Sequence, residues 1–393
     1  MELLTIAKGL LSFKPDKVLI DNIVFRLHYR FTSLLLLGCS ILVTSYQFFG
    51  DPIDCITRNS VRPELLDRYC WVQKTFSIPS QWHGQVGSQV VFPGVSHSRN
   101  DDVVYHAYYQ WVCFVLLFQA VLFYTPHYMW KTTEGGRLKN IVREIRGSFS
   151  EPKKMTKVLY PVVYCMQNGI NLRYGLGYVL CEMLNLVNVV GQTYLMDRFL
   201  GGEFFKYGLQ VISFTEWSQE IRYDPMIKLF PRVTKCTFRT FGSSGDVEIT
   251  DHMCLLSVNI INEKVYLLLW FWFFGLTLIT LLSVLYRVAV LLNLHDIRYK
   301  SLSRPGFAGN KRIHELCRNM SVGDFLFLSL VMENVDRLSY NQFITNLAKL
   351  YEDHGIPSSR DKETNDRENH CKINFSNQQQ HDYKNQSFRS TDM

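Results

Sequence analysis

The sequence lacks the compact signatures of covalent chemistry. There is no CxxC pair to hold zinc or exchange a disulfide, no HExxH to set two histidines around a metal, and no P-loop to cradle a phosphate. The only Gly-x-Gly, at Gly175 and Gly177, is missing the third glycine of a dinucleotide turn. These absences argue against an enzyme, a metal site or a bound cofactor. Two connecting segments, 50–107 and 197–264, also lack an Asn-x-Ser/Thr acceptor, while Asn319, Asn374 and Asn385 begin such triplets elsewhere. No bulky glycan is expected on either segment, which becomes useful if that face must dock against another protein.

What the chain has is apolar length. About 20 apolar residues at ~1.5 Å rise cross a hydrocarbon core of ~30 Å. Four stretches reach that length: Phe31 to Phe49, Tyr108 to Tyr128, Leu176 to Met196 and Val265 to Leu292. The last contains the run YLLLWFWFF and reads as apolar all round, which suits lipid better than a soluble core. Thirty residues with five Lys or Arg precede the first stretch, too long for an ordinary signal-peptide n-region. The first stretch therefore reads as an uncleaved span.

Lys and Arg near the span ends set the orientation. In eighteen-residue windows the N-terminal flank carries four, the two ends of the middle loop five and one, and the C-terminal flank three. The other four windows carry two, one, two and one. Both termini and the middle loop are thus expected in the cytoplasm, and 50–107 and 197–264 outside. The net charge of +7 fits, because residues 129–178 carry nine basic and three acidic groups while each outer segment comes to −1. A solvated basic face near anionic lipid accounts for that loop without nucleic acid.

Cysteines are sorted in the same way. Cys55 and Cys70 lie in one outer segment and Cys236 and Cys254 in the other, on the side where disulfides persist. The members of these two sets are separated by fourteen and seventeen residues, which does not suit zinc. Cys39, Cys113, Cys165, Cys181, Cys317 and Cys371 fall in membrane or cytosol and are expected as free thiols.

Residues 1–13 place Leu3, Ile6, Ala7, Leu10 and Phe13 at helical spacing ahead of Pro15, an amphipathic helix that can lie on lipid or tuck into a pore. The first outer segment shows no clear helical repeat. The second reads as a β-hairpin, TKCTFRTF followed across the Gly-rich turn GSSGD by VEIT and LLSVNII. After the fourth span, Ser321 to Val335 and Ser339 to Glu352 each open on a capping-type serine and read as two packed helices. From about residue 355 the chain is polar, with mixed charge, and is expected to be disordered.

Polar residues inside spans are costly and therefore informative. Ser33, Ser40, Thr44 and Gln47 fall near one face of the first span, and the line continues to Asp51 and Asp54. They either line a wet pore or let helices approach closely. In the third span Glu182, Asn185, Asn188 and Gln192 share a face that either hydrogen-bonds to other helices or faces a pore. Pro126, near the inner end of the second span, should kink it, as a static bend or as a hinge.

At the start of the second span the sequence reads YYQWV: Tyr108, Tyr109, Gln110, Trp111 and Val112. This resembles the signature of the innexins, the invertebrate gap-junction proteins. GDPIDC at 50–55, YCW at 69–71, EGGR at 134–137, FPRVTKCTF at 230–238 and NEKVYLLLWFWF at 262–273 also resemble that family, in order, over about residues 1–350. The motifs look most like the insect branch, and a virus-carried homologue would read the same.

The resemblance implies an all-α membrane protein: a four-transmembrane-helix subunit with two disulfide-braced extracellular loops, a small extracellular β-hairpin and a cytoplasmic helical domain. It implies nested disulfides, Cys55 with Cys254 and Cys70 with Cys236. It also implies a pore lined by the N-terminal helix through Glu2, Leu3 and Ile6 and by the first span through Ser33, Ser40, Thr44, Gln47 and Asp51.

The chain would then divide into a cytoplasmic pore helix and linker (1–30), TM1 (31–49), outer loop 1 (50–107), TM2 (108–128), a cytoplasmic loop (129–175), TM3 (176–196), outer loop 2 (197–264), TM4 (265–292), a cytoplasmic helical region (293–354) and a tail (355–393). The expected partners are other innexins in a homo- or hetero-oligomer, an octamer by resemblance, the hemichannel of an apposed cell and the lipid bilayer. The expected function is a junctional channel for ions and small metabolites in the plasma membrane. An undocked hemichannel and a poreless tetraspan adhesion or scaffold protein are the alternatives.

Overall fold

The computed structural model describes residues 18–57, 62–82, 84, 87–96, 102–147, 152–214, 225–292, 295–302 and 311–353. The expected N-terminal helix with Glu2, Leu3 and Ile6, and the tail from 355, lie outside the described residues. In chain order the helices are α1 (Ile23–Phe49), α2 (Pro63–Val72), α3 (Val112–Glu134), α4 (Arg137–Gly147), α5 (Pro152–Gln167), α6 (Ile170–Phe199) and α7 (Phe204–Phe214). They continue with α8 (Pro225–Leu229), α9 (Ser257–Leu291), α10 (His295–Leu302), α11 (Lys311–Asn319), α12 (Val322–Asn334) and α13 (Arg337–Asp353). The strands are β1 (Asp54–Cys55), β2 (Thr75–Ser77), β3 (Val104–His106), β4 (Val233–Phe241) and β5 (Val247–Leu255).

Helices α1, α3, α6 and α9 are long and apolar enough to cross a membrane. Each runs past its apolar stretch at one end or both, because helical hydrogen bonding continues as long as the flanking residues permit it, but α3 starts only at Val112, after a tighter 3-10 turn at Tyr108–Gln110. Helix α9 begins at Ser257, ahead of the apolar run, and buries Asn259, Asn262 and Glu263 in its first turns.

The chain forms two compact units. One comprises His28–Tyr124 and Leu186–Ile279. Its sheet has the order β1-β5-β4-β2-β3 with antiparallel pairing throughout. The expected hairpin is β4 and β5, closed by a turn in which Gly245 takes a φ of +84°, a conformation that penalises any side chain, but its second strand ends at Leu255 and the rest of LLSVNII, from Ser257, is the first turn of α9. The sheet is larger than the sequence suggests. Strands β1, β2 and β3 come from the first connecting segment and are each two or three residues long, too short to show a period of two. The same segment holds α2, with Pro63 in its first turn and Leu66 and Cys70 buried.

The other unit comprises Met1–Leu27, Thr125–Asn185 and Thr280–Met393, and its described part is helical. Helix α12 is its core element, with Phe325, Leu326, Phe327, Leu328, Leu330 and Val331 all buried. Ser321 and Asp324 close its N-terminus as a reciprocal capping box. Helix α13 begins two residues earlier than the sequence suggests, because Asp336 rather than Ser339 supplies the cap: its carboxylate accepts from the Ser339 N–H at 3.0 Å. Helices α10 and α11 precede this pair and add to the two helices expected. At the far end of α12, Asn334 Nδ2 donates to Leu19 O at 2.6 Å, and Leu19 N donates back to Asn334 Oδ1 at 2.6 Å. That clamp fixes the chain just before α1 starts.

Candidate functional site: polar groups in the spans and a disulfide-braced sheet

The polar line on α1 divides in two. Ser33 and Ser40 are buried, and their hydroxyls donate to Ala120 O at 3.0 Å and Cys113 O at 2.8 Å on α3. These two serines serve helix packing and do not face a pore, which corrects the expectation that they line one. A serine can sit at a close helix crossing and satisfy its hydroxyl on the neighbouring backbone. Leu36 and Val43 complete that buried stripe. Thr44 and Gln47 are half-buried, and Asp51 and Asp54 are exposed.

Two members of the polar face of α6, Glu182 and Asn188, bond to other helices. Within one unit, Glu182 accepts from Arg287 Nε at 2.8 Å and Nη2 at 3.0 Å, and from Asn22 Nδ2 at 2.7 Å. Glu182 and Arg287 are both almost wholly buried, so each charge is tolerated only through the other. Arg287 was missed by reading the fourth span as apolar all round. The available signal was a lone arginine near the end of a stretch without other charges, which within a span implies a partner.

The same unit holds a second cluster of ionisable side chains. Asp21 lies 3.2 Å from His127 and 3.8 Å from Arg26. In the sheet-bearing unit, Asn188 Nδ2 donates to Leu122 O at 3.2 Å, and Gln192 Nε2 donates to Asn188 Oδ1 at 3.3 Å. Helix α3 continues through Pro126.

Two disulfides brace the sheet. Cys55 on β1 is bonded to Cys254 on β5, and Cys70 on α2 to Cys236 on β4. Four cysteines allow three connectivities, and this is the nested one. Sulfurs of Cys55, Cys70 and Cys254 lie within 4.8 Å of one another, but as disulfides they are not metal ligands. Cys39, Cys113, Cys181 and Cys317 are free and buried, and burial pushes the Cys317 thiol up to about 11. Cys165, expected as a free thiol, is disulfide-bonded; the expectation rested on compartment alone.

Sequence motifs far apart in the chain converge beneath the braced sheet. Tyr108 donates its hydroxyl proton to Leu229 O at 3.1 Å, and its ring lies 5.9 Å from that of Phe230. Tyr109 is buried against Trp71 at 5.0 Å, and Gln110 donates to the Trp71 carbonyl. Trp111 is exposed, while Val112 is buried. Arg232 makes a forked pair with Glu263, with Nε and Nη2 each 3.0 Å from the carboxylate oxygens they reach, and Asn259 Nδ2 donates to Pro231 O at 2.8 Å. YYQWV, YCW, FPRVTKCTF and NEKVYLLLWFWF are thus parts of one packed junction between strands and spans.

An innexin family model matches residues 21–351 of this sequence. The chain belongs to the innexin family. It is 44% identical to innexin inx2 of Schistocerca americana over 353 residues, which cover 88% of this chain and 96% of that protein. It is also 44% identical to innexin inx2 of Drosophila melanogaster over 348 residues, covering 87% and 94% of the two chains. With innexin shaking-B of the same fly it shares 41% identity over 354 residues, covering 88% and 94%. The four apolar helices of this innexin make it a multi-pass membrane protein.

Proposed function

We propose that this innexin is a subunit of a gap-junction channel, which passes ions and small hydrophilic metabolites between adjacent cells without covalent chemistry. The observation that carries this reading is the braced sheet. Two disulfides fasten the connecting segments 50–107 and 197–264 to each other, and the Arg232–Glu263 pair ties β4 to the start of α9. The distal half of the β4–β5 hairpin stands clear of these ties, with Phe241, Val247 and Ile249 exposed. Apolar residues held out on a rigid ribbon suit a face that docks onto another protein.

The distribution of Lys and Arg supports a cytoplasmic position for both termini and for the loop 129–175, and an extracellular one for the sheet. Subunits assemble into a hemichannel, eight of them by family resemblance, alone or with other innexins. The conduit is lined by the N-terminal segment with Glu2, Leu3 and Ile6, and by Thr44, Gln47 and Asp51 of α1. Transfer of a small dye and junctional conductance between paired cells expressing the protein test this. Conductance in single cells without transfer between pairs would make it an undocked hemichannel. A particle that neither conducts nor transfers dye would make it an adhesion or scaffold protein.

A further inference from the structure

Helix α7 follows α6 after the turn at Gly201 and Gly202 and packs one face onto α9. Gly208 lies flat on the Trp270 indole, so close that a Cβ would collide with the ring. Trp270 Nε1 donates to Phe205 O at 3.3 Å, and the Phe205 ring sits 6.2 Å from that of Phe274. Phe204, Tyr207 and Val211 are buried on this side. The adjoining side, reached at Phe205 on the edge of the contact with α9, carries Phe205, Leu209 and Ile212, which are 42%, 62% and 45% exposed. Their spacing of four and three residues makes one apolar stripe along the helix.

The place of that stripe along α9 indicates what covers it. Between Lys264 and Arg287, α9 carries no charged side chain, a run long enough for a hydrocarbon core of ~30 Å. Trp270 lies less than two turns inside the Lys264 end, where membrane proteins place their aromatic belts. The exposed Phe271, Phe274 and Leu278 continue the apolar surface along α9. Lys206, also exposed, extends from α7 on a stem long enough to keep its ammonium in water.

We propose that α7 is an interfacial helix, with Phe205, Leu209 and Ile212 seated among the acyl chains of the bilayer leaflet at the Lys264 end of α9. The occupant of the stripe is lipid. The stripe is continuous with the apolar surface of a span and carries no polar group to recognise a protein partner. This holds whether or not the assembled protein conducts.

The test attaches a small environment-sensitive fluorophore to Leu209→Cys in the intact oligomer, reconstituted into phosphatidylcholine nanodiscs with or without doxyl-labelled lipid. Unsubstituted protein treated in parallel sets the labelling background, and Thr240→Cys on the exposed hairpin serves as the aqueous control. Doxyl lipid is expected to lower the Leu209→Cys signal about twofold while dissolved iodide leaves it nearly unchanged, with the reverse order at Thr240→Cys. Quenching of Leu209→Cys by iodide would place the stripe in water. Protection from both quenchers would place it against a neighbouring subunit. Either result overturns the proposal.

Discussion

Asn188 Nδ2 donates to the carbonyl of Leu122 at 3.2 Å, and that carbonyl is the one Pro126 leaves without a donor. In a regular helix the N–H of residue 126 would bond to Leu122 O, but proline has none. A side chain of α6 thus replaces the missing backbone bond of α3 within the apolar part of the bundle. Of the two readings the sequence leaves open for the polar face of α6, a hydrogen bond to another helix and a face on a pore, Asn188 makes the first.

Asn188→Leu should therefore destabilise the protein by about 1–2 kcal/mol, the cost of leaving a largely desolvated carbonyl unpaired. Pro126→Ala restores the backbone donor and should remove most of that penalty. Thermal unfolding of the two single variants and the double variant in nanodiscs measures the coupling. Additive losses would show that Asn188 and Pro126 are unrelated.

Breaking the Glu182–Arg287 pair should be costlier. Arg287→Met strands a carboxylate and Glu182→Gln strands a guanidinium, each expected to cost about 3–5 kcal/mol, whereas the double replacement by apolar residues should recover much of the loss. Surface expression and detergent-resistant oligomer read this out. Equal loss in single and double variants would mean that neither charge depends on the other.

His106 on β3 is buried, with its Nε2 2.7 Å from Ser77 Oγ, and burial lowers its pKa from 6.5 to about 4. Since the folded form resists protonation, this contribution is fully present above pH 6.5 and is lost as pH falls from 6.5 towards 4. It amounts to about 3 kcal/mol at most. His106→Gln should flatten the melting temperature of the purified protein across that window. An unchanged pH profile in the variant would remove His106 as the cause.

Loss of either disulfide should abolish coupling between cells while protein still reaches the surface. Each bridge spans more than 160 residues and is expected to stabilise by about 2–4 kcal/mol. Cys70→Ser/Cys236→Ser, assayed by surface biotinylation and junctional conductance in paired cells, checks this. Coupling at the level of the unsubstituted protein would separate docking from the brace.

The conduit assignment rests on α1. Single cysteines at Thr44, Gln47 and Asp51 should react with a water-soluble thiol reagent and lower conductance, whereas cysteines at Ser33 and Ser40 should be protected by α3. Modification at Ser33 or Ser40 would restore them to the pore wall.

The features that depend on order along the chain were legible without coordinates. Four spans follow from apolar length, and the hairpin follows from alternating residues around a glycine turn, because each is set by neighbours in sequence. The family motifs stood in order as well, though their meeting at Tyr108, Phe230, Arg232 and Glu263 did not. The two and three-residue strands from the first connecting segment were illegible, since they exist only through pairing, β1 with β5, β2 with β4 and β3 with β2.

The tertiary structure also decided what each polar group in a span is for. A serine at a helix crossing and a serine facing water have the same spacing in sequence, and Ser33 and Ser40 are distinguished only by the carbonyls of Ala120 and Cys113. A buried charge likewise needs a partner, however distant in sequence: Arg287 meets Glu182 at 105 residues' separation. Apolar length determines that a segment enters the membrane, while the backbone and side chains packed beside it determine which of its polar atoms are already satisfied.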